Sequence, residues 1–327
     1  MRRLSLGRNL GGLVLGAVVA VAAQAQASWP DRPVRVIVPF PASGATDLVA
    51  RVVAQRVAAD LGQQMVIENK PGAGGTIGTA EAAKAPADGY TLLLTTSSTH
   101  AISPHLMPRL AYDARKDFTP VAHLADAPSV LLVTNSLPVK TVGELVAYAK
   151  ANPGKLNYAT SGNGTIVHLN SAAFSAQAGI EMTHVPYKGT ALAIPDMVSG
   201  QVQVLFDSLP TGMPHVKSGR LKALAVTSEK RSALAPELPT VAESGMPGYS
   251  SVTWFGLYLP AGASPALVER INKAFTKALQ SPELAASLAK LGVEPAATST
   301  PAQFGAMVQA DSNRWATVIR DRKISIE

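Results

Sequence analysis

The chain has 327 residues, no cysteine, a formal charge of +7 and only 16% charged residues. Without cysteine there is neither a disulfide framework nor thiol chemistry. The basic residues are scattered rather than blocked, which argues against a nucleic-acid surface, although a modest positive field favours anionic ligands.

The first residues read as a leader. Arg2, Arg3 and Arg8 precede an apolar run from Leu10 to Ala23, and Ala25-Gln26-Ala27 has the small-residue pattern of a cleavage site. The run is short for a membrane span. "RRLSL" faintly resembles a twin-arginine signal, so either export route fits. With cleavage near Ala27 three arginines leave, the charge falls from +7 to +4, and about 300 residues remain for two domains of ordinary size. No cysteine follows the run, which excludes a lipoprotein.

"VRVIVP" at 34–39 alternates and is β-branched, the pattern of a strand. "FPASGAT" is a turn, and 47–62 predicts a helix with Val49, Val53, Val57 and Leu61 on one face and Gly62 as its stop. "MVIEN" and "TLLLTT" are further strands, separated by a glycine turn and a short alanine-rich helix. Strands alternating with helices imply a mostly parallel sheet. The pattern restarts with "SVLLVT" as a strand and a helix capped by Thr141 with Glu144. "KLNYAT" leads through "ATSGNGTIVHLN" into a helix ending near Ala178. "MTHVPY", "VQVLFD", "LKALAVT" and "SVTWFGLYLP" are strands. Ser264-Pro265 starts a helix with Leu267, Ile271, Phe275 and Ala278 close together, and Thr300-Pro301 with Gln303 starts the last one. Two α/β units therefore each present a strand, a glycine-containing turn and a helix. Ligands of open α/β sheets bind beyond the carboxyl ends of strands, where those turns lie.

Such turns can serve several chemistries. Ser161 lacks the G-x-S-x-G context of a nucleophile elbow, and His168, seven residues on, is poorly placed as its base. "GAGGTIG" at 72–78 has neither dinucleotide nor Walker spacing and reads as a tight turn feeding a helix. The six histidines form no H-E-x-x-H and no Asp/Glu cluster has ligand spacing, so neither metal nor cofactor is expected. His100 and His168 stand out only because each follows a candidate pocket loop. Anion capture remains: helix starts expose N–H groups, glycine permits close backbone approach, and Ser43, Thr46, Ser97, Ser98, Ser161 and Thr165 add hydroxyls. The plainer reading is that these hydroxyls cap their own helices. Three such loops in one exported two-lobed chain favour a cleft.

Long phrases carry a resemblance. "WPDRPVRVIVPFPASGATDLVARVVA", "VIENKPGAGGTIG", "ADGYTLLLTTSSTHAISPHL", "YATSGNGTIVHL", "VPYKGT", "GQVQVLFDSLP" and "LPTVAESGMPGY" stand in the order found in Bug-type proteins, the periplasmic solute receptors of tripartite tricarboxylate transporters. The resemblance spans nearly the whole chain after the leader. It implies an α/β periplasmic binding protein of type II, a Venus flytrap whose lobes close around solute. The first lobe would comprise 29–128 and 251–327, the second 129–250. It further implies a small carboxylate ligand (a di- or tricarboxylate, an acidic amino acid or an aromatic carboxylate), a membrane permease as partner, and a monomer. Carried over, the ligand loops are Phe40, Pro41, Ala42, Ser43, Gly44, Thr46 and Asp47 in one lobe, and Thr160, Ser161, Gly162, Asn163, Gly164 and Thr165 in the other. Ser97, Ser98 and His168 lie near the cleft, with Tyr187, Lys188, Gly189, Thr190 and Asp207 facing it. One departure is Ser43, which stands where the resemblance predicts the first of two glycines. A secreted serine hydrolase and a ligand sensor for a membrane kinase are the alternatives.

Overall fold

The β-branched run 34–38 forms strand β1 (Val34–Val38), which pairs in parallel with β2 (Met65–Asn69) on one side and β3 (Thr91–Thr96) on the other. Helix α1 (Ala45–Leu61) lies between β1 and β2, buries Val49, Val53 and Val57, and stops at Gly62 in the left-handed region. These facts come from a computed structural model that describes residues 29–326. The leader expected over 1–27 lies outside the described residues. Helix α2 (Thr76–Ala83) follows the glycine turn, and α3 (Ser103–Leu106) follows β3.

Strand β4 (Phe118–Thr134) is 17 residues long. After it come α4 (Val142–Ala151), β5 (Asn157–Thr160), α5 (Ile166–Ala178), β6 (Thr183–Pro186), α6 (Ile194–Ser199), β7 (Val204–Ser208), α7 (Leu209–Lys217) and β8 (Leu221–Val226). The chain then returns through β9 (Val252–Pro260), α8 (Pro265–Leu279), α9 (Pro282–Lys290), β10 (Glu294–Pro295) and α10 (Pro301–Asp321). Thr141 caps α4 by accepting from Glu144 N–H, while the Glu144 carboxylate accepts from Lys140 N–H, one residue off the reciprocal box. At α10 both halves of the Thr300/Gln303 box form.

The expectation of a mostly parallel sheet is corrected. The strands form one path, β2-β1-β3-β9-β4-β7-β5-β6, with β10 and β8 also on β4. β1 with β2 and β3, and β5 with β6 and β7, are parallel, whereas every pairing of β4 and β9 is antiparallel. Parallel neighbours require a crossover, which the βαβ units supply; β9 instead comes back from the second unit in the opposite sense and inserts between β3 and β4.

β4 itself carries the chain from one unit to the other. Its residues Phe118–Pro128 pair with β9, and Ser129–Val133 pair with β7. The sequence reading recognised only 129–134. Pro120 and Pro128 lack ladder donors, and the register shifts between Pro120 and Ala122 and between His123 and Ala125, so alternation is lost there.

One apolar cluster packs α1 and α8 on the first unit, through Val53, Leu94, Phe255, Ile271 and Phe275. A second packs α4 and α5 on the other unit, through Leu131, Leu145, Phe174 and Phe206. A third joins residues of both, among them Leu93, Trp254, Trp315, Ala159 and Leu205. These clusters fix the carboxyl ends of β1, β3, β5 and β7, from which the candidate loops spring.

Candidate functional site

Those strand ends enclose a cavity of about 260 Å³. Its wall includes Phe40 to Thr46 after β1, Ser98 after β3, Ser161, Ile166 and Val167 after β5, Lys188 to Leu192 after β6, and Asp207, Ser208 and Thr211 after β7. A wider opening of about 700 Å³ adjoins it, sharing Phe40, Pro41, Ser161 and Lys188, and is bordered by Pro71 to Gly75, Gly162, Asn163 and Tyr187.

Three helices begin at this cavity. α1 has Gly44 at its N-cap and no side-chain cap; Ala45 and Thr46 of its first turn line the wall. In α5, Thr165 caps by accepting from His168 N–H, and Ser98 Oγ, from the other unit, accepts from Ile166 N–H at 3.0 Å. Val167, between them, lines the cavity. α7 starts after Ser208, also without a side-chain cap, and Thr211 of its first turn lines the wall. Helix starts carry partial positive charge, an arrangement suited to an anion, and among the described residues the wall holds no arginine.

The first loop is held from behind. Ser43 has φ 63°, a left-handed conformation that costs a non-glycine residue about 1–2 kcal/mol. Its N–H donates to Asp47 Oδ2 at 2.8 Å, and Arg51 Nε and Asn69 Nδ2 donate to the same carboxylate at 2.9 and 3.0 Å. Burial opposes ionisation of Asp47, but the bonds from Arg51, Ser43 and Asn69 outweigh it and hold its carboxyl below the usual value. Asp47 is buried and does not line the cavity; it braces the loop that does.

The second loop is braced by two histidines. His168 and His184 stack with ring centroids 4.4 Å apart and planes 8° apart. His168 Nδ1 accepts from Gly164 N–H at 3.4 Å, and His184 Nε2 lies 2.7 Å from Thr160 Oγ1. An accepting Nδ1 must be unprotonated, and burial, with a smaller contribution from His184, lowers the His168 pKa to about 4. The loop therefore keeps its brace at neutral pH. Ser161 Oγ donates to Thr165 Oγ1 at 3.1 Å, and Thr165 Oγ1 donates to Gly162 O at 2.8 Å.

Of the residues expected at the site, Phe40, Pro41, Ala42, Ser43, Gly44, Thr46, Ser98, Ser161, Lys188, Gly189, Thr190 and Asp207 line the cavity. Gly162, Asn163 and Tyr187 border the adjoining opening. Asp47, Ser97, Thr160, Gly164, Thr165 and His168 line neither. Sequence reasoning missed Thr96, Thr211, Thr253 and Phe255, and also Ile166, Val167, Ala191, Leu192 and Ser208. Thr253 and Phe255 lie on β9, and no loop motif marks a residue on a returning strand. Thr211 was within reach, since it lies in the first turn of the helix that follows Asp207. The "GAGG" turn feeds a helix, as read, and also meets the second loop: a Cβ placed on Gly74 would stand 2.5 Å from Asn163 O.

Asp207 is the buried charge of the wall. Ser208 N–H donates to its Oδ1 at 2.9 Å, and the Thr190 and Thr211 hydroxyls lie beside it. Burial dominates these bonds and pushes its carboxyl up to about 6.

Residues 49–324 match the model of the tripartite tricarboxylate transporter family receptor. The protein BugT of Bordetella pertussis is 38% identical over 307 residues, covering 93% of this chain and 94% of its own length. Among solved structures, Rpa4515 of R. palustris with adipate superposes with a TM-score of 0.88 at 38% identity, covering 91% of this chain and 99% of that one. MatC of Rhodopseudomonas palustris with bound malate gives 0.84 at 34%, covering 89% and 99%. The periplasmic binding protein BugD gives 0.86 at 34%, covering 91% and 100%. The chain has the α/β fold of these periplasmic binding proteins and belongs to the receptor family of the tripartite tricarboxylate transporters.

Proposed function

We propose that this chain captures a small carboxylate in the cavity at the strand ends and hands it to the membrane permease of a tripartite transporter. One observation carries the reading: the starts of α1, α5 and α7 open on a single cavity lined by hydroxyls and free of arginine. Relatives of the same fold hold adipate and malate, which supports a carboxylate here.

Two lobes, 29–128 with 251–327 and 129–250, close about the crossings near Pro128 and Ser251. The change of partners within β4 at Pro128 supports that division. Pro41 and Gly189, and Gly74 and Asn163, are close neighbours across it. Ligand contacts made to both lobes favour the closed population. The chain acts as a periplasmic monomer after its leader is removed near Ala27.

Capture rather than turnover fits Ser161, whose hydroxyl is committed to Thr165 while His168 and His184 bond Gly164 and Thr160. The test is a thermal-shift screen of small carboxylates on the mature chain. A ligand at a hundred times its Kd adds about 2.7 kcal/mol. No stabilisation by any carboxylate, or hydrolysis of esters lost in Ser161→Ala, overturns the reading. Loss of uptake on deletion separates a transport role from a sensing one.

A further inference from the structure

Asp207 sits at the carboxyl end of β7, only 3% exposed, in the wall of the cavity. β4 brings Val130 opposite it, Ser208 follows it at the end of β7, α7 brings Thr211 and Gly212, and the segment after β6 brings Thr190. Lys188 is the one other charged side chain of the wall, and among the described residues it forms no ion pair with Asp207. A buried carboxylate without a cation is costly unless something neutralises it. The start of α7 offers partial compensation, but a ligand anion in the cavity draws on the same field.

We propose that Asp207 meets the ligand as a neutral acid whose O–H donates to one carboxylate of a dicarboxylate, so that a dianion binds together with one proton from solvent. This rests on the carboxylate-capture reading and narrows it to dicarboxylates. The geometry favours it over an ion pair because the wall supplies hydroxyls and helix starts for the first carboxylate and leaves Asp207, Thr190 and Thr211 together for the second. Two ionised carboxylates facing each other across a small cavity repel, and the standard outcome is that one keeps its proton. Burial already raises Asp207 to about 6, and a neighbouring anion raises it further. The proton replaces the arginine that the wall lacks.

The experiment is isothermal calorimetry of the mature chain with the dicarboxylates from succinate to adipate, in two buffers of different ionisation enthalpy. At pH 7.5, well above about 6, binding should take up about one proton per ligand. Affinity should fall about tenfold for each pH unit above about 6. Asp207→Asn supplies an N–H donor that needs no proton, so its uptake should vanish and its affinity should be flat from pH 6 to 8. Tight dicarboxylate binding by wild type without proton uptake overturns the inference and leaves the receptor reading standing. So does an unchanged pH slope in a folded Asp207→Asn, which assigns the proton to the ligand. Binding of amino acids alone, lost in Asp207→Asn, likewise overturns it, because Asp207 then acts as an anion toward an ammonium group. If no carboxylate binds wild type, both readings fall. The wild-type uptake measurement stands even where the variant fails to fold.

Discussion

Gly74→Ala tests whether binding needs the close approach of the two units. Gly74 has φ 66°, and an added Cβ would lie 2.5 Å from the Asn163 carbonyl oxygen, against about 3.4 Å for ordinary contact. The clashing atom is backbone, so no side chain can swing away, and the "GAGG" turn and the 160–165 loop must part by about 0.9 Å from those two distances. Gly62→Ala is the matched control. Gly62 has φ 67° with nothing within 4 Å of its added Cβ. Both variants bear the left-handed cost of about 1–2 kcal/mol, whatever the state of the cleft. Only Gly74→Ala adds an overpacking strain of about 1–3 kcal/mol, and only where residues 74 and 163 are in contact. Thermal melts should therefore show both variants a few degrees less stable. Calorimetry with the best carboxylate of the screen should show Gly62→Ala binding like wild type and Gly74→Ala about five- to a hundredfold weaker. Equal affinity in the two variants, with native circular dichroism, refutes the reasoning: the halves would then not need this contact to hold ligand.

Asp47→Ala removes the brace behind the first loop and should cost about 1.5–3 kcal/mol by denaturant titration, with weaker binding as Ser43 loses its anchor; a neutral effect on both would show the loop is held otherwise. Ser161→Ala should weaken carboxylate binding only about two- to tenfold, because its hydroxyl already bonds Thr165 and a single neutral bond contributes about 0.5–1.5 kcal/mol. Stability should rise with pH between about 4 and 6.5. His168 and His100 are held neutral by burial, with pKa values lowered to about 4 and about 3, so over that window the unfolded chain binds more protons. Asp207 acts with the opposite sign: its raised pKa of about 6 means the folded chain binds the extra proton, so Asp207→Asn should steepen the rise below pH 6. Melting temperatures at half-unit steps of pH check both signs.

Local chemistry made much of this protein legible before any fold was seen. The apolar runs became β1, β3, β7 and β9, because alternation or continuous burial is a property of the segment itself. Thr300 with Gln303 and Ser264 ahead of Pro265 started their helices, since a cap side chain accepts from the N–H three residues on, Gln303 and Leu267 here. The loops at 40–46 and 160–165 announced themselves by glycine, and both reached one cavity. What the residues could not say was decided by packing. The first half of β4, with its two prolines and shifted register, is a strand only because β9 pairs with it across more than a hundred residues of sequence. The same return of β9 made the sheet mixed and brought Thr253 and Phe255 to the cavity. The division of labour among the polar groups was equally hidden: Thr165 caps, Ser98 satisfies α5 from the segment after β3, and Asp47 and His168 brace loops from behind. A hydroxyl or carboxylate carries no mark of which way it points. Its direction follows from which donors the folded chain leaves unpaired, and only the assembled sheet sets that.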